Sequence, residues 1–256
     1  MKIFLTNDDG FEAPGLIAIA GRLAKLGRVT VIAPNQGRSS CSSSLCLRTY
    51  LHLWKKESYG ENMEVLSCNG TTADCCKLAL GYWLKDDMPD LIVSGINNGN
   101  NSGSDCIYSG TMAGALEGDL LGIPSIALSA EPAGEGEYLE RAASFAFEVI
   151  QKYFVEEKYN GCLNLNMPKD GMDLTWENLK IARLGIQHYD NAIREIKDLS
   201  GHPGYWVSGK MLPDGTPDTD VFWYHRGYPT LTPITWNQTD TGNMERVKEI
   251  ASLSGK

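Results

Sequence analysis

The sequence predicts an α/β protein, a doubly wound, mainly parallel sheet followed by a C-terminal β-rich arm. Three features carry this. Within the first 34 residues, strand, helix and strand follow one another without a hairpin turn, which is the order of a parallel crossover unit. Polar, glycine- or serine-rich loops then recur directly after apolar strand segments, as at the ligand-binding edge of such sheets. From residue 171 onward the helical periodicity fades, and Gly, Pro, Trp and Tyr interleave through 201–236.

The elements follow in order. KIFLT (2–6) is a short apolar run closed by a turn signal, a buried strand. Pro14 suits the first turn of a helix, and LIAIAGRLAKLG (16–27) has helical apolar spacing with Gly27 as its stop. RVTVIAP (28–34) is β-branched and closed by proline, hence a second strand. After the polar loop NQGRSSCSSS (35–44), the alternation in LCLRTYLHLW (45–54) predicts an antiparallel excursion, and EVLSCNG (64–70) another short strand. TTADCCKLALGYWL (71–84) reads as a helix capped by Thr71 or Thr72. DLIVSGI (90–96) is a strand, TMAGALEGDLLG (111–122) a helix of small residues, and IPSIALS (123–129) a strand. The amphipathic EYLERAASFAFEVIQKYF (137–154) is a long helix, and CLNLNMP (162–168) is expected to close the main sheet. DTDVFWYHRGYPTLTPI (218–234) reads as strand and hairpin, and ERVKEIASL (245–253) as a closing helix. The expected division is a metal- and phosphate-binding core over 1–170 and a hairpin, arm and closing helix over 171–256, which serves oligomerisation within the same unit.

The totals exclude several classes. With 256 residues the chain can bury a core without disulfides, and its net charge of −9 offers no basic footprint for a nucleic-acid polymer. The seven cysteines are odd in number and contain no C-x-x-C pair, so reduced, buried thiols in a reducing compartment are expected. MKIFLTNDDG is not a signal peptide, and no apolar run approaches about 20 residues, the span of a bilayer. A cytoplasmic protein without a membrane partner is the expectation.

The chemistry begins at LTNDDGFEAPG (5–15). Neighbouring side chains on a strand face opposite ways, and two unpaired carboxylates repel at close range. Past the strand end that alternation lapses, and the Gly10 turn lets Asp8 and Asp9 face one point, where a divalent cation removes their repulsion. The loops carrying Arg38 and Ser39, and Asn97 to Ser109, fall on the same edge of a parallel sheet. Two carboxylates, a hydroxyl and an amide carbonyl are hard oxygen donors, which suit Mg²⁺ or Mn²⁺. The four histidines (His52, His188, His202, His225) are scattered, and none is nominated as a ligand.

SGINNGNNSGSDCIYSGT (94–111) places glycine at 95, 99, 103 and 110. Such loops bring backbone N–H groups close to an anion, and Ser109, Gly110 and Thr111 open a helix whose N-terminus favours phosphate. The run is neither G-x-G-x-x-G nor a Walker loop. Asn101, Ser109, Gly110 and Thr111 are assigned to phosphate, and Asp8 also to orienting or deprotonating the attacking water. A metal beside a phosphate cradle points to hydrolysis of a phosphate ester.

At these residues the chain resembles the SurE family, stationary-phase survival proteins that act as 5′-nucleotidases. The matching stretches are LTNDDGFEAPG, VIAPNQGRSS, VSGINNGNNSGSDCIYSGT, GIPSIALS, LNLNMP and DTDVFWYHRGYPTLTPI. The resemblance implies a metal-dependent nucleoside 5′-monophosphate phosphohydrolase on a Rossmann-like core. It implies one divalent metal per subunit on Asp8, Asp9, Ser39 and Asn97. It also implies a cytoplasmic homodimer or homotetramer joined through the C-terminal arm, and activity on other phosphate monoesters or short polyphosphate. Asn35 and Ser40 stand where the family often has Asp and Gly, and Glu12 where His is common.

Two alternatives carry different signatures. A phosphatase with an aspartyl-phosphate intermediate needs D-x-D with both carboxylates on one face, whereas here the two Asp are adjacent. A non-catalytic nucleotide- or metal-binding module would use the same donors, and phosphate release separates it from an enzyme. Tyr205, Trp206, Trp223, Tyr224 and Trp236 are candidates for stacking on a base, or for filling a small β core or subunit contact.

Overall fold

Strand β1 (Lys2–Thr6) sends alternate side chains into two cores, and that alternation organises the molecule. In the computed structural model, which describes residues 1–131, 136–190, 193–207, 209–213 and 215–253, Ile3 and Leu5 are buried on one face and Phe4 on the other. Helix α1 (Pro14–Leu23) covers the first face with Leu16, Ile19 and Leu23. Strand β2 (Arg28–Pro34) follows in parallel, Lys2 opposite Arg28.

The excursion over 45–54 is shorter than its alternation suggested. Only β3 (Leu53–Lys55) is a strand, antiparallel to β4 (Met63–Cys68). Side chains hold the residues before it instead. Asp74 Oδ1 accepts from the Cys46 N–H at 3.1 Å, and Asn69 Oδ1 accepts from the His52 N–H at 2.8 Å. Helix α2 (Thr72–Leu78) is capped by Thr71 in a reciprocal box: the Asp74 N–H donates to Thr71 Oγ1, and the Thr71 N–H to Asp74 Oδ2. It continues through a wide turn over Ala79–Trp83 and closes the second core, where Cys75 and Cys76 pack against Phe4, Ile32 and Leu66.

Strand β5 (Leu91–Asn98) runs two residues past its expected end. A short 3₁₀ turn over Gly103–Ile107 precedes helix α3 (Gly110–Leu120), which Ser109 caps by accepting from the Met112 N–H at 3.0 Å. Strand β6 (Ser125–Glu131), helix α4 (Glu137–Ile150, extended by a wide turn over Gln151–Glu156) and strand β7 (Cys162–Pro168) complete the parallel part.

The main sheet does not close at β7, contrary to the expectation. Strands β8 (Lys180–Ile181), β9 (His188–Asp190), β10 (Ile193–Lys197), β11 (Pro203–Val207) and β12 (Lys210–Leu212) lead to a short helix α5 (Asp220–Tyr224), then β13 (Thr230–Ile234) and helix α6 (Met244–Leu253). Strand β13 returns antiparallel beside β7, Thr230 opposite Asn166, and β8 lies parallel outside it. The nine-stranded order is β3-β4-β2-β1-β5-β6-β7-β13-β8. Strands β10 and β11 form one antiparallel ribbon, and β9 and β12 another. The α/β class with a β-rich C-terminal part is thus borne out. The hairpin read over 218–234 is corrected at Asp220–Tyr224, which is helical because Thr219 caps it, accepting from the Phe222 N–H at 3.1 Å. Among the described residues, no helix is long and apolar enough to cross a membrane.

Candidate active site

Beyond β1 the chain turns at once. Asn7 closes the turn on both sides, donating from Nδ2 to the Gly10 carbonyl at 2.9 Å and accepting from the Gly10 N–H at 3.2 Å. Gly10 takes φ +111°, a conformation L side chains rarely adopt, so the residue type fixes the turn. Asp8 thereby ends up buried, with 4% of its surface exposed, and Asp9 half-buried.

Each carboxylate is tied to another element. Thr111 Oγ1 donates to Asp8 Oδ1 at 2.5 Å, and the Gly110 N–H also reaches the Asp8 carboxylate. Asp9 Oδ2 accepts from the Asn98 N–H at 2.9 Å. The register between β5 and β6 shifts between Ser94 and Asn97, where a cis peptide also joins Gly95 to Ile96. Just past that shift, Asn97 donates from Nδ2 to the Gly99 carbonyl at 2.9 Å, which leaves its amide oxygen for another partner. The loop after β2 is drawn in by the Arg38 N–H, which donates to the Asp8 carbonyl at 2.7 Å. Its guanidinium donates to the Asn69 carbonyl at 2.7 Å. Ser40 there adopts φ +60°, left-handed geometry that a glycine would take without strain.

These loops surround a cavity of about 660 Å³ whose wall includes Asp8, Ser39, Asn97, Asn101 and Ser109. Five of the eight expected site residues therefore meet in one cavity. Asp9, Gly110 and Thr111 are not part of its wall, but each bonds to a residue that is: Asp9 to Asn98, and Gly110 and Thr111 to Asp8. Thr111 differs most from expectation: it is fully buried and gives its hydroxyl proton to Asp8, not to the cavity. Asn101 is pinned from several sides. Its Nδ2 donates to Ser129 Oγ at 2.8 Å, its N–H to Asn166 Oδ1 at 2.7 Å, and its carbonyl accepts from Asn164 Nδ2 at 2.8 Å.

Burial pushes the Asp8 carboxyl up to about 6; the Thr111 hydroxyl opposes this and the neighbouring Asp9 adds to it. Burial likewise raises Asp9, against the Asn98 N–H. Among the described residues no ion pair engages either carboxylate. Two adjacent, desolvated acids held only by neutral donors form a local charge deficit that a dication would relieve. Among the described residues no trio of His, Cys, Asp or Glu could hold a metal. The donor set expected from the sequence is of another kind, two carboxylates with a serine hydroxyl and an asparagine oxygen. All are hard oxygen donors and fit Mg²⁺ or Mn²⁺.

The aromatic residues named as candidates for base stacking, or for a small β core or subunit contact, are not in the cavity wall. Trp223 packs edge-on against Phe222 and Tyr228, and the buried Tyr224 hydroxyl donates to Glu131 Oε2 at 3.2 Å. Tyr205 and Trp206 are exposed on β11, and the Trp236 N–H donates to Asp119 Oδ2 at 2.8 Å. The wall instead takes Tyr108, Tyr189 and Val207. Tyr108 was findable from its place next to Ser109. Tyr189 and Val207 lie far along the chain and carry no local signal.

The fold and this pocket define a class: a Rossmann-like α/β protein with paired acids and a helix N-terminus at its strand ends. A family model described as Survival protein SurE matches residues 3–191, and the chain belongs to the SurE family. It is 35% identical over 252 residues to the 5′-nucleotidase SurE of Alkaliphilus metalliredigens, covering 98% of each chain. It is 38% identical over 237 residues to the 5′-nucleotidase SurE of Vibrio cholerae, covering 91% of each. The crystal structure of the SurE protein from Aquifex aeolicus superimposes with a TM-score of 0.80 at 32% identity, covering 98% of this chain and 100% of that one.

Proposed function

We propose that this chain is a divalent-cation-dependent 5′-nucleotidase, a phosphoric monoester hydrolase that releases phosphate from nucleoside 5′-monophosphates. The observation that carries the reading is the meeting, in one cavity, of the buried Asp8 with Ser39, Asn97 and Ser109, the cap of α3. The relatives named 5′-nucleotidase SurE over nearly the full chain support it.

Asp8, Asp9, Ser39 and Asn97 would hold one Mg²⁺ or Mn²⁺ per subunit. When bound, the cation supplies charge neutralisation and an activated water. Ser109 accepts from the Met112 N–H, and its own proton remains for a phosphate oxygen. With the Thr111 N–H at the start of α3 and the fixed Asn101, it would bind and orient the phosphate. Gly110 brings the helix start against Asp8, and the Thr111 hydroxyl steadies that carboxylate as anion. Asp8 would orient or deprotonate the attacking water. The reading extends to other phosphate monoesters and to the terminal anhydride of short polyphosphate.

The core over 1–170 supplies the chemistry in this reading, and 171–256 a surface for a homodimer or homotetramer. The exposed Ile193, Ile196, Tyr205 and Trp206 on the β10–β11 ribbon support the latter. A cytoplasmic location agrees with seven cysteines that are all free thiols.

The test is phosphate release from a panel of nucleoside monophosphates across Mg²⁺, Mn²⁺, Co²⁺ and Zn²⁺. Release that stops on chelation and returns with one of these cations is expected. Binding without release for every cation would favour a non-catalytic module, and a phosphoaspartate trapped on Asp8 would favour the covalent route.

A further inference from the structure

The cavity is larger than a phosphate and a cation require, and among the polar groups of its remaining wall, such as Asn98, Asn100 and Asp105, stand three large side chains, Tyr108, Tyr189 and Val207. Tyr108 is 64% exposed, Tyr189 41% and Val207 81%, yet all three line the same space as Asp8 and Ser109. Large apolar side chains converging on a polar pocket are the usual mark of a surface kept for a ligand.

The backbone that carries Tyr108 and the side chain of Tyr189 are both held. The Tyr108 backbone closes the 3₁₀ turn, its N–H donating to the Asp105 carbonyl at 3.0 Å. From the other side the serine-rich loop grips the same turn: the Ser42 N–H donates to the Tyr108 carbonyl at 3.1 Å, and Ser42 Oγ to the Ile107 carbonyl at 2.7 Å. The Tyr189 hydroxyl donates to Asp105 Oδ2, which joins β9 to that turn. Gln187 adds a second tie, its N–H donating to Ser104 Oγ at 3.0 Å. The two C-terminal ribbons thus bring Tyr189, on β9, and Val207, on β11, to the cavity that Tyr108 lines.

Position gives the role. Tyr108 directly precedes Ser109, so its ring begins one residue from the phosphate-facing hydroxyl. A tyrosine reaches outward about as far as a ribose separates a base from its 5′-phosphate. The ring face offers stacking that any flat heteroaromatic group can use. The backbone turn under Tyr108 and the Tyr189 hydroxyl bond are in place before a ligand arrives, which lowers the ordering cost of binding.

We propose that Tyr108, with Tyr189 and Val207, forms the subsite for the base of the nucleotide, and that Tyr108 determines preference for nucleotides over base-free phosphate esters. This rests on the nucleotidase reading above and adds the residues that recognise the base. The aromatic residues of α5 and β11 take no part in it.

The test is the ratio of kcat/KM for AMP to that for ribose 5-phosphate, which share the scissile ester and differ by the base. Tyr108→Ala is expected to lower this ratio on the order of tenfold, and Tyr108→Phe, which keeps the ring face, to leave it near wild type. Equal losses on both substrates, or an unchanged ratio in a variant folded by circular dichroism, would overturn the proposal. AMP binding measured by calorimetry with Mn²⁺ present keeps the two readings apart. If the wild-type protein binds AMP without releasing phosphate, hydrolysis fails. Tyr108→Ala must then still weaken AMP binding relative to ribose 5-phosphate for the subsite to stand.

Discussion

Thr111 Oγ1 lies 2.5 Å from Asp8 Oδ1, so the first turn of α3 and the tip of β1 share one hydrogen bond. The bond joins residues 103 positions apart, and both are buried. It makes the helix start part of the acid pair's environment.

Thr111→Val keeps the shape and removes the donor. A hydrogen bond to a charged group contributes about 1.5–3 kcal/mol, so apparent Mn²⁺ affinity should fall about tenfold or more. The loss should be larger at pH 6 than at pH 8, because the freed carboxyl titrates higher. Mn²⁺ titration at the two pH values checks this. A variant that binds Mn²⁺ normally but phosphate poorly would assign the Thr111 hydroxyl, like its N–H, to the phosphate cradle.

The pH dependence of the metal-free protein follows from the same carboxyl. Burial holds Asp8 protonated to about 6, above its ordinary value of 3.8. The folded chain thus keeps a proton that the unfolded chain releases. That stabilising contribution is complete below about pH 4 and is lost as pH rises to about 6. Asp9, Asp105 and Asp220, each raised first by burial, act in the same direction. Urea unfolding with chelator should show falling stability across this window, Asp8→Asn should flatten the fall, and Mn²⁺ should reverse it. A wild-type protein equally stable at pH 4.5 and pH 6.5 without metal would contradict the desolvated state of Asp8.

Gly110→Ala tests the approach of helix to acid. An added Cβ would sit 2.8 Å from both Cβ and Oδ2 of Asp8, so one of the two must move. Overpacking of this kind costs about 1–3 kcal/mol, and activity should fall more than stability. Urea unfolding and phosphate release on the same variant check this. Wild-type behaviour in both would mean that the helix start yields freely.

Asp9→Asn keeps an oxygen to accept the Asn98 N–H and removes one charge. The fold should survive, since the residue lies at a strand end, while phosphate release drops by about two orders of magnitude or more. Near-wild-type turnover at matched metal concentration would remove Asp9 from the ligand set.

The parallel part of the fold was legible because each element announces itself locally. KIFLT and RVTVIAP are apolar runs between turn signals, and Thr71 with Asp74 spells a capping box. The acid pair and the Ser109 helix start were legible for the same reason. Pairings decided by distant partners were not. Strand β13 joins β7 across more than 60 residues, as Thr230 opposite Asn166, and no local pattern encodes that. The aromatic run after Thr219 reads as strand by composition, but its capping hydroxyl makes it helical. Residues 45–52 alternate in polarity but follow the bonds of Asp74 and Asn69. The partner of the Thr111 hydroxyl, like the presence of Tyr189 and Val207 at the pocket, required the assembled sheet.

The central claim, that Asp8 and Asp9 share a divalent cation, is tested most directly by anomalous diffraction from crystals soaked in Mn²⁺. One strong peak per chain is expected, touching both carboxylates with Ser39 and Asn97 beside it. No peak there, or manganese bound elsewhere while the two acids remain apart, would contradict the account.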